Sequence, residues 1–512
     1  MSSARPRIAV VGAAAAGLAA AEGLRRLGWD GEITLVGDEP HLPYDRPPLS
    51  KQVLSGDWEP ERTALRDATQ IAGLELDLRL GTRARAYDPA RRALTLDGDG
   101  QTVLQCAGVI AATGVTPRGL PGTAGVQGVH VLRTLDDALR LRRRLAAPGR
   151  RLAVVGSGVL GAEAAAVART LGHDVTLVGT RDTPMQQVLG AEVGGLLAEA
   201  HRAHGVALHT GQAVTGITER SGRVSGIVLA DGTVVEADDV LLAIGSVPAV
   251  DWLRGPGADA AGPDLSDGLV CDQFCAAAPG LYGAGDVARW YHPVLRRHLR
   301  IEHRMNASEQ GLAAARNLLA ELDPERFGER RPFAPVPYFW SDQYSLKLQA
   351  YGVLADAERV QVLRLDKDPL RLAALYGTSG HVTGALAIGL PAAPGQVPAG
   401  TGRHAVGLAG GRRTAGRGSG GLSRRPTGRS HCPRPVRRLL SSPLSTSVLM
   451  HISHGGGGPV DRPAQSLDGT WTARRPRGRG RGTRKSSART VRVCGSGPTV
   501  RTKVVPCHGR DT

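Results

Sequence analysis

Cysteine is scarce and scattered. Cys106, Cys271, Cys275, Cys432, Cys494 and Cys507 are the only six among 512 residues. No two stand as a CxxC pair, which excludes a zinc ribbon, and nothing resembles a secreted disulfide framework. Cys271 and Cys275, in a stretch that reads as strand and turn, are expected to be two small apolar side chains. Long apolar runs are missing too. The first, residues 8–21, is broken by Gly12 and Gly17 and is too short to cross a bilayer. No N-terminal segment joins a charged start, an apolar run and a small-residue cleavage site. The expectation is a soluble, cytoplasmic chain with no membrane association.

Acidic residues are nearly absent from one region only. Residues 391–512 carry 23 Lys and Arg against 3 Asp and Glu, whereas the other residues carry 41 against 44. The formal net charge of +17 therefore belongs to the C-terminal tail. Nucleic-acid binding is not expected except through that tail. Apolar periodicity also stops near Leu390. Tracts such as "GRRTAGRGSGGLSRRPTGRS" hold too few apolar side chains to offset chain entropy, so 391–512 reads as a disordered basic tail.

What remains is long enough for two to four domains in all. Residues 7–11 read as a short strand, followed by a Gly/Ala-rich turn, a helix-like stretch over 18–27 and a second strand over 32–36. The same grammar returns with a strand at 151–155, a helix up to Leu171 and a strand at 174–178. Such units build parallel sheets covered by helices. Residues 225–235, centred on Asp231-Gly232, read as a hairpin. Beyond a linker punctuated by Pro332, Pro335 and Pro337, alternating segments at 346–351, 359–365, 370–376 and 382–388 predict a small antiparallel module.

Gly12-Ala13-Ala14-Ala15-Ala16-Gly17 lies between the first strand and its helix. It is a dinucleotide fingerprint with Ala14 at the middle glycine position. Gly12 permits the tight turn, Gly17 lets helix and strand approach, and the helix's first N–H groups face a pyrophosphate. Ala14 adds a methyl where backbone nears phosphate. Asp38 follows the second strand, where a carboxylate can bond a ribose hydroxyl. Far downstream, "GLYGAGDVA" brings Gly283, Gly285 and Asp286 into a loop suited to a ribityl chain. Asp286 also reads as an ordinary helix N-cap.

Gly156-Ser157-Gly158-Val159-Leu160-Gly161 is a complete fingerprint after "RLAVV". Two such loops in one chain suit one flavin and one nicotinamide nucleotide. Where the next strand should end in an acidic residue stands Gly179, with Arg181 two residues on. Losing a charged hydrogen bond forfeits about 1.5–3 kcal/mol, so weak preference for NADH is expected. Arg181 either accepts a 2′-phosphate or points to solvent.

Longer segments say more. "GDEPHLPYDRPPLSK", "AATGVTPR", "VLRTLDDA", "GVLGAEAAA", "GLYGAGDVA", "RIEHRMNASEQG" and "PYFWSDQYSLKLQAYG" occur in this order between residues 7 and 390. In them the chain resembles the FAD-dependent ferredoxin reductases of the rubredoxin and putidaredoxin reductase type, within the pyridine nucleotide-disulfide oxidoreductase superfamily. The resemblance implies an α/β fold of two Rossmann-like dinucleotide-binding domains plus a small α+β C-terminal domain. FAD would occupy the domain formed by 1–116 and 246–326, NAD(P)H that of 117–245, and the third domain would span 327–390. FAD is the implied cofactor, NADH or NADPH the co-substrate, and a 2Fe–2S ferredoxin or rubredoxin of an oxygenase system the acceptor. A monomer or homodimer is expected.

Residue by residue, the resemblance puts Arg46 and Lys51 at the flavin's phosphates and ring, with Ala84 and Arg133 along FAD. Thr113, Gly114 and Gly245 fall in its cofactor-binding segments, and Asp286 would hold the ribityl chain. Arg304 and Trp340 fall beside the flavin ring. Glu163 is either the carboxylate near the nicotinamide or a surface helix residue. Glu163, Lys51 and Trp340 are thus the residues expected at the reacting centre. Disulfide reductases of this fold need a dithiol beside the flavin, and its NADH oxidases and peroxidases use one cysteine there. This chain has Pro47, Pro48, Leu49 and Ser50 instead. The implied reaction is hydride transfer to flavin, then single electrons outward to the acceptor. Arg289, Arg296, Arg297 and Arg300 are either a docking face or a solvated surface.

Other readings are the reductase part of a nitrite reductase, an apoptosis-inducing-factor-like oxidoreductase, or a non-catalytic flavin- or nucleic-acid-binding protein. Relatives continue past "VTGALAIGLP" into a helical end of the third domain, where this chain has its basic tract. A frameshifted reading of a GC-rich gene yields such aperiodic Arg, Gly, Pro and Ala. That origin is expected ahead of a genuine polyanion-binding tail, and resequencing decides between them.

Overall fold

Strand Arg7–Val11 buries its last four side chains, as a parallel strand covered on both faces must. It sits inside a six-stranded sheet in a computed structural model that describes residues 5–98, 102–254, 262–365, 368 and 370–390. The order is Ala276–Ala278, Leu281–Gly283, Gly108–Ala111, Arg7–Val11, Glu32–Val36 and Asp77–Arg79. Val11 pairs in register with Val36 on one side and with Ala111 on the other. Helix Ala15–Arg26 covers this sheet together with helix Arg304–Leu322. The two helices touch backbone to backbone: a Cβ on Gly311 would stand 2.2 Å from the Ala16 carbonyl oxygen.

The construction repeats. Arg151–Val155 lies in a five-stranded sheet between Asp174–Gly179 and Asp239–Leu242, with Ala207–Thr210 and Val129–His130 at the edges. Val155 pairs with Val178, matching the Val11–Val36 register of the first sheet. Helix Val159–Thr170 follows the turn as Ala15–Arg26 does in the first unit. The hairpin expected around Asp231-Gly232 is present as strands Arg223–Leu229 and Val234–Glu236.

A third sheet is antiparallel, in the order Tyr338–Gln343, Leu346–Gly352, His381–Ile388, Leu372–Thr378 and Arg359–Arg364. Its apolar face closes on helix Gln186–Ala203: Leu189, Val193 and Leu197 share a core with Leu348, Tyr376 and Ile388. Tyr376 Oη also donates to the Leu189 carbonyl at 2.8 Å. This seating carries strand Tyr338–Gln343 over the parallel sheets' loops.

Four of the third sheet's strands match the alternating segments. The strand Tyr338–Gln343 and the meander Ala84–Asp88, Ala93–Leu96 and Thr102–Gln105 were not expected. Among the described residues the third domain is strand only, so the helical part of its α+β expectation lies outside them, as does the basic tail. Cys106, Cys271 and Cys275 are free and buried, as small apolar side chains.

Candidate functional site

Each parallel sheet ends its first strand in a glycine that nothing else can replace. Gly12 has φ +121° and Gly156 has φ +109°, and a Cβ on either would stand 2.1 Å from a carbonyl oxygen, that of Ala112 or Ala243. Their N–H groups donate to the neighbouring strand, Gly12 to Val36 O at 2.7 Å and Gly156 to Val178 O at 2.8 Å. The chain then turns into a helix whose first N–H groups have no internal partner, a place suited to a phosphate.

Both turns open into one cleft of about 850 Å³. Ala14, Ala15 and Ala16 line it from the first loop; Gly156, Gly158, Val159 and Leu160 line it from the second. Gly114, Gly179, Arg181, Gly245 and Gly285 also reach it. Gly12, Ala13, Gly17 and Gly161 lie beneath the loops, shaping them without forming the cleft wall. Ala84 and Thr113 are not in the wall either: Ala84 is in the core, and Thr113 Oγ1 donates to the Ala249 carbonyl at 2.7 Å.

Asp38 likewise lies outside the cleft wall. Backbone bonds from Gly37 N to Arg79 O and from Thr82 N to Gly37 O tie this corner to the next strand. The exposed Asp38 carboxylate faces Arg83 at 3.5 Å. Its neighbour Glu39, passed over in the sequence, takes the organising role instead. It accepts from Arg46 at 2.7 Å and from Tyr44 Oη at 2.6 Å, and both of those partners line the cleft.

At the centre Lys51 Nζ and Glu163 Oε2 are 2.7 Å apart, with the two residues only 8% and 3% exposed. Glu163 is therefore no surface helix residue. Ser50 Oγ donates to the same Oε2 at 2.7 Å, and Ser341 Oγ donates to Oε1 at 2.8 Å. A buried ion pair holds only when its remaining lone pairs are satisfied, and here two hydroxyls satisfy them. Neither serine was singled out as a ligand of Glu163. The signal for Ser341 was alternation: Phe339, Ser341 and Gln343 form the buried face of their strand, and polar residues on a buried face need partners.

The opposite wall holds Asp286, paired with Arg133 at 3.3 Å. Burial pushes the Asp286 carboxyl up, with Arg133 pulling against it, and burial pulls the Arg133 guanidinium down. Arg304 lines the cleft but is paired with Asp45, so its charge is compensated. Trp340 lines the cleft from the third sheet, stacked at 6.0 Å on Tyr338. Next to Arg304, His303 is half-buried with an inaccessible, unpartnered Nδ1, and desolvation brings its pKa down to about 4. An orphaned buried acceptor on the cleft wall, a carboxylate raised by burial and two phosphate-ready helix starts fit an elongated dinucleotide such as FAD.

No cysteine lines this cleft. At the strand end of the second unit, Gly179 is packed against Ser157: a Cβ there would lie 2.0 Å from Ser157 Oγ and 2.7 Å from its Cβ. The serine hydroxyl stands where the stem of an acidic side chain would start.

Residues 6–311 match the pyridine nucleotide-disulphide oxidoreductase family, and residues 338–397 match the reductase C-terminal domain. Rhodocoxin reductase of Rhodococcus erythropolis is 36% identical over 354 residues, 69% of this chain and 79% of the relative. The ferredoxin–NAD(+) reductase component of the p-cumate 2,3-dioxygenase system of Pseudomonas putida is 38% identical over 361 residues, 69% of this chain and 83% of the relative. Among solved structures, the covalent putidaredoxin reductase–putidaredoxin complex superposes with a TM-score of 0.69 at 32% identity, covering 76% of this chain and 90% of that one.

Proposed function

The chain belongs to the pyridine nucleotide-disulphide oxidoreductase family, and on that premise we propose that it is an FAD-dependent NAD(P)H–ferredoxin reductase serving an oxygenase system. One observation carries the reading: two dinucleotide loops and a buried Lys51–Glu163 pair face a single cleft that contains no thiol. When bound, FAD supplies the conversion of a two-electron donor into single electrons for the acceptor.

The chain's own residues bind, orient and exclude water. The first loop and Asp286 hold FAD, with Arg46 and Arg133 adding positive charge. The second loop holds NAD(P)H and brings its nicotinamide to Glu163 and Lys51. Trp340 closes the cleft from the third domain. No thiol lines the cleft to relay electrons covalently, so the acceptor would be an external one, a 2Fe–2S ferredoxin in the cytoplasm. Gly179 and Arg181 support use of NADPH as well as NADH.

Purified protein should be yellow, bleach anaerobically with either coenzyme, and reduce cytochrome c only when a ferredoxin is added. A correctly folded preparation that retains no flavin rejects the proposal.

A further inference from the structure

Behind Glu163 a line of buried polar side chains runs away from the cleft, and its direction follows from the charged end. Paired with the Lys51 ammonium, Glu163 is a carboxylate and only accepts. Ser341 must therefore spend its single proton on Glu163 Oε1, at 2.8 Å. Ser341 Oγ is then an acceptor for Gln343 Nε2 at 3.3 Å, and the second N–H of that amide points at Met185 Sδ, 3.2 Å away. With its nitrogen so used, Gln343 offers Oε1 to His201 Nε2 at 3.1 Å. Burial holds the His201 imidazole neutral, with a pKa of about 4. A neutral ring that donates from Nε2 accepts at Nδ1, and Tyr344 Oη lies there at 2.9 Å.

We propose that Tyr344, His201, Gln343 and Ser341 form a one-way hydrogen-bond chain, every donor pointing toward Glu163, that lets the third domain set the orientation of this carboxylate at the nicotinamide end of the cleft. The chain is built from two elements that the sequence keeps far apart. His201 sits on helix Gln186–Ala203, and the other three lie on strand Tyr338–Gln343 and its turn. Ser341, Gln343 and His201 are each 0–1% exposed. At that burial a misdirected donor would be left without a partner and without water, so the polarity is enforced rather than averaged. Tyr344 adopts φ +55°, an unfavourable conformation for a tyrosine. In it the ring stacks on His204 at 3.6 Å and the hydroxyl reaches His201. The four residues act through Glu163, so they are positioning residues, and the proposal rests on reading the cleft as the flavin–nicotinamide site.

The test reverses the polarity without changing the shape. Gln343→Glu removes the N–H that Ser341 accepts and offers an oxygen that competes for the serine proton. It should slow bleaching of the flavin by NADH roughly tenfold with KM within about twofold, as should Ser341→Ala. Because both break one link, the double variant should also be about tenfold slow, not a hundredfold, and Ser341→Thr, which keeps the hydroxyl, should restore the rate. A second readout needs no turnover. Nitrogen-15 spectra of histidine-labelled full-length protein, with His201 assigned by its loss in His201→Asn, should show a neutral ring protonated at Nε2. Near-normal bleaching in Gln343→Glu, additive losses in the double variant, or a ring protonated at Nδ1 each overturn the chain. If the wild-type protein is not bleached by NADH or NADPH, the functional reading itself fails, and the nitrogen spectrum still reports on the hydrogen-bond chain.

Discussion

The two parallel-sheet units are nearly the same object up to the end of their second strands, and then they part. Gly12 and Gly156 share a left-handed backbone and the same 2.1 Å limit against a carbonyl oxygen. Gly17 and Gly161 share a 1.8 Å limit against the glycine that opens each loop. Even the strand-end glycines match in placement: Gly37 packs on Ala13 and Gly179 on Ser157, each the second residue of its loop. Beyond that point the first unit runs into Asp38 and Glu39, the second into Thr180 and Arg181. The shared part makes a phosphate cradle, which sterics dictate and which any dinucleotide can use. The divergent part carries charge of opposite sign in the two units.

Breaking the shared part should give the largest effects, and different ones in the two units. Gly12→Ala forces a side chain into a conformation that costs about 1–3 kcal/mol before any clash is counted, and it should yield colourless protein. Gly156→Ala meets the same obstacle but should leave flavin bound, while the coenzyme concentration needed for bleaching rises by about a hundredfold or more. Flavin absorbance per polypeptide and bleaching titrations measure the two outcomes. Loss of flavin in both variants would show that the units do not divide the two nucleotides between them.

The same contrast explains what could be read without a structure. Strands Arg7–Val11, Glu32–Val36 and Arg151–Val155 were legible to the residue, because buried parallel strands bounded by glycine turns leave an unmistakable apolar run. Lys51 and Glu163 were nameable only through family likeness. Their 2.7 Å pairing joins residues 112 positions apart, and no local pattern encodes that. Glu39 was overlooked in favour of Asp38 because which of two adjacent carboxylates faces inward depends on the corner made with Arg79 and Thr82. Strand Tyr338–Gln343 was hidden by the prolines before it and by polar residues on its buried side, which contradict the usual inside-apolar rule.

The divergent part should respond more gently, and it sharpens the comparison at the strand end. Gly179→Glu alone drives a side chain into Ser157 and should impair coenzyme binding of both kinds. Ser157→Gly with Gly179→Glu clears the space and supplies the missing carboxylate. The kcat/KM ratio of NADH to NADPH should then rise roughly tenfold or more, the value of one charged hydrogen bond. An unchanged ratio in a double variant that still bleaches would mean that the ribose is recognised elsewhere.

The smallest effect is expected where the two loops differ in sequence without differing in shape. Ala14 has φ −124° and ψ −157°, Gly158 has φ −72° and ψ −170°, and both are extended backbone open to any residue. A Cβ on Gly158 would find nothing within 4 Å. The middle glycine of the motif is thus not required by the fold; it matters only for how closely a phosphate can approach. Ala14→Gly removes a methyl from the cleft wall at the cost of about 0.5–1 kcal/mol of chain flexibility. FAD affinity should therefore move by no more than about threefold in either direction, measured by flavin release on dilution. A tenfold gain would mean that the methyl presses on the ligand and that the first loop is compromised rather than merely unusual.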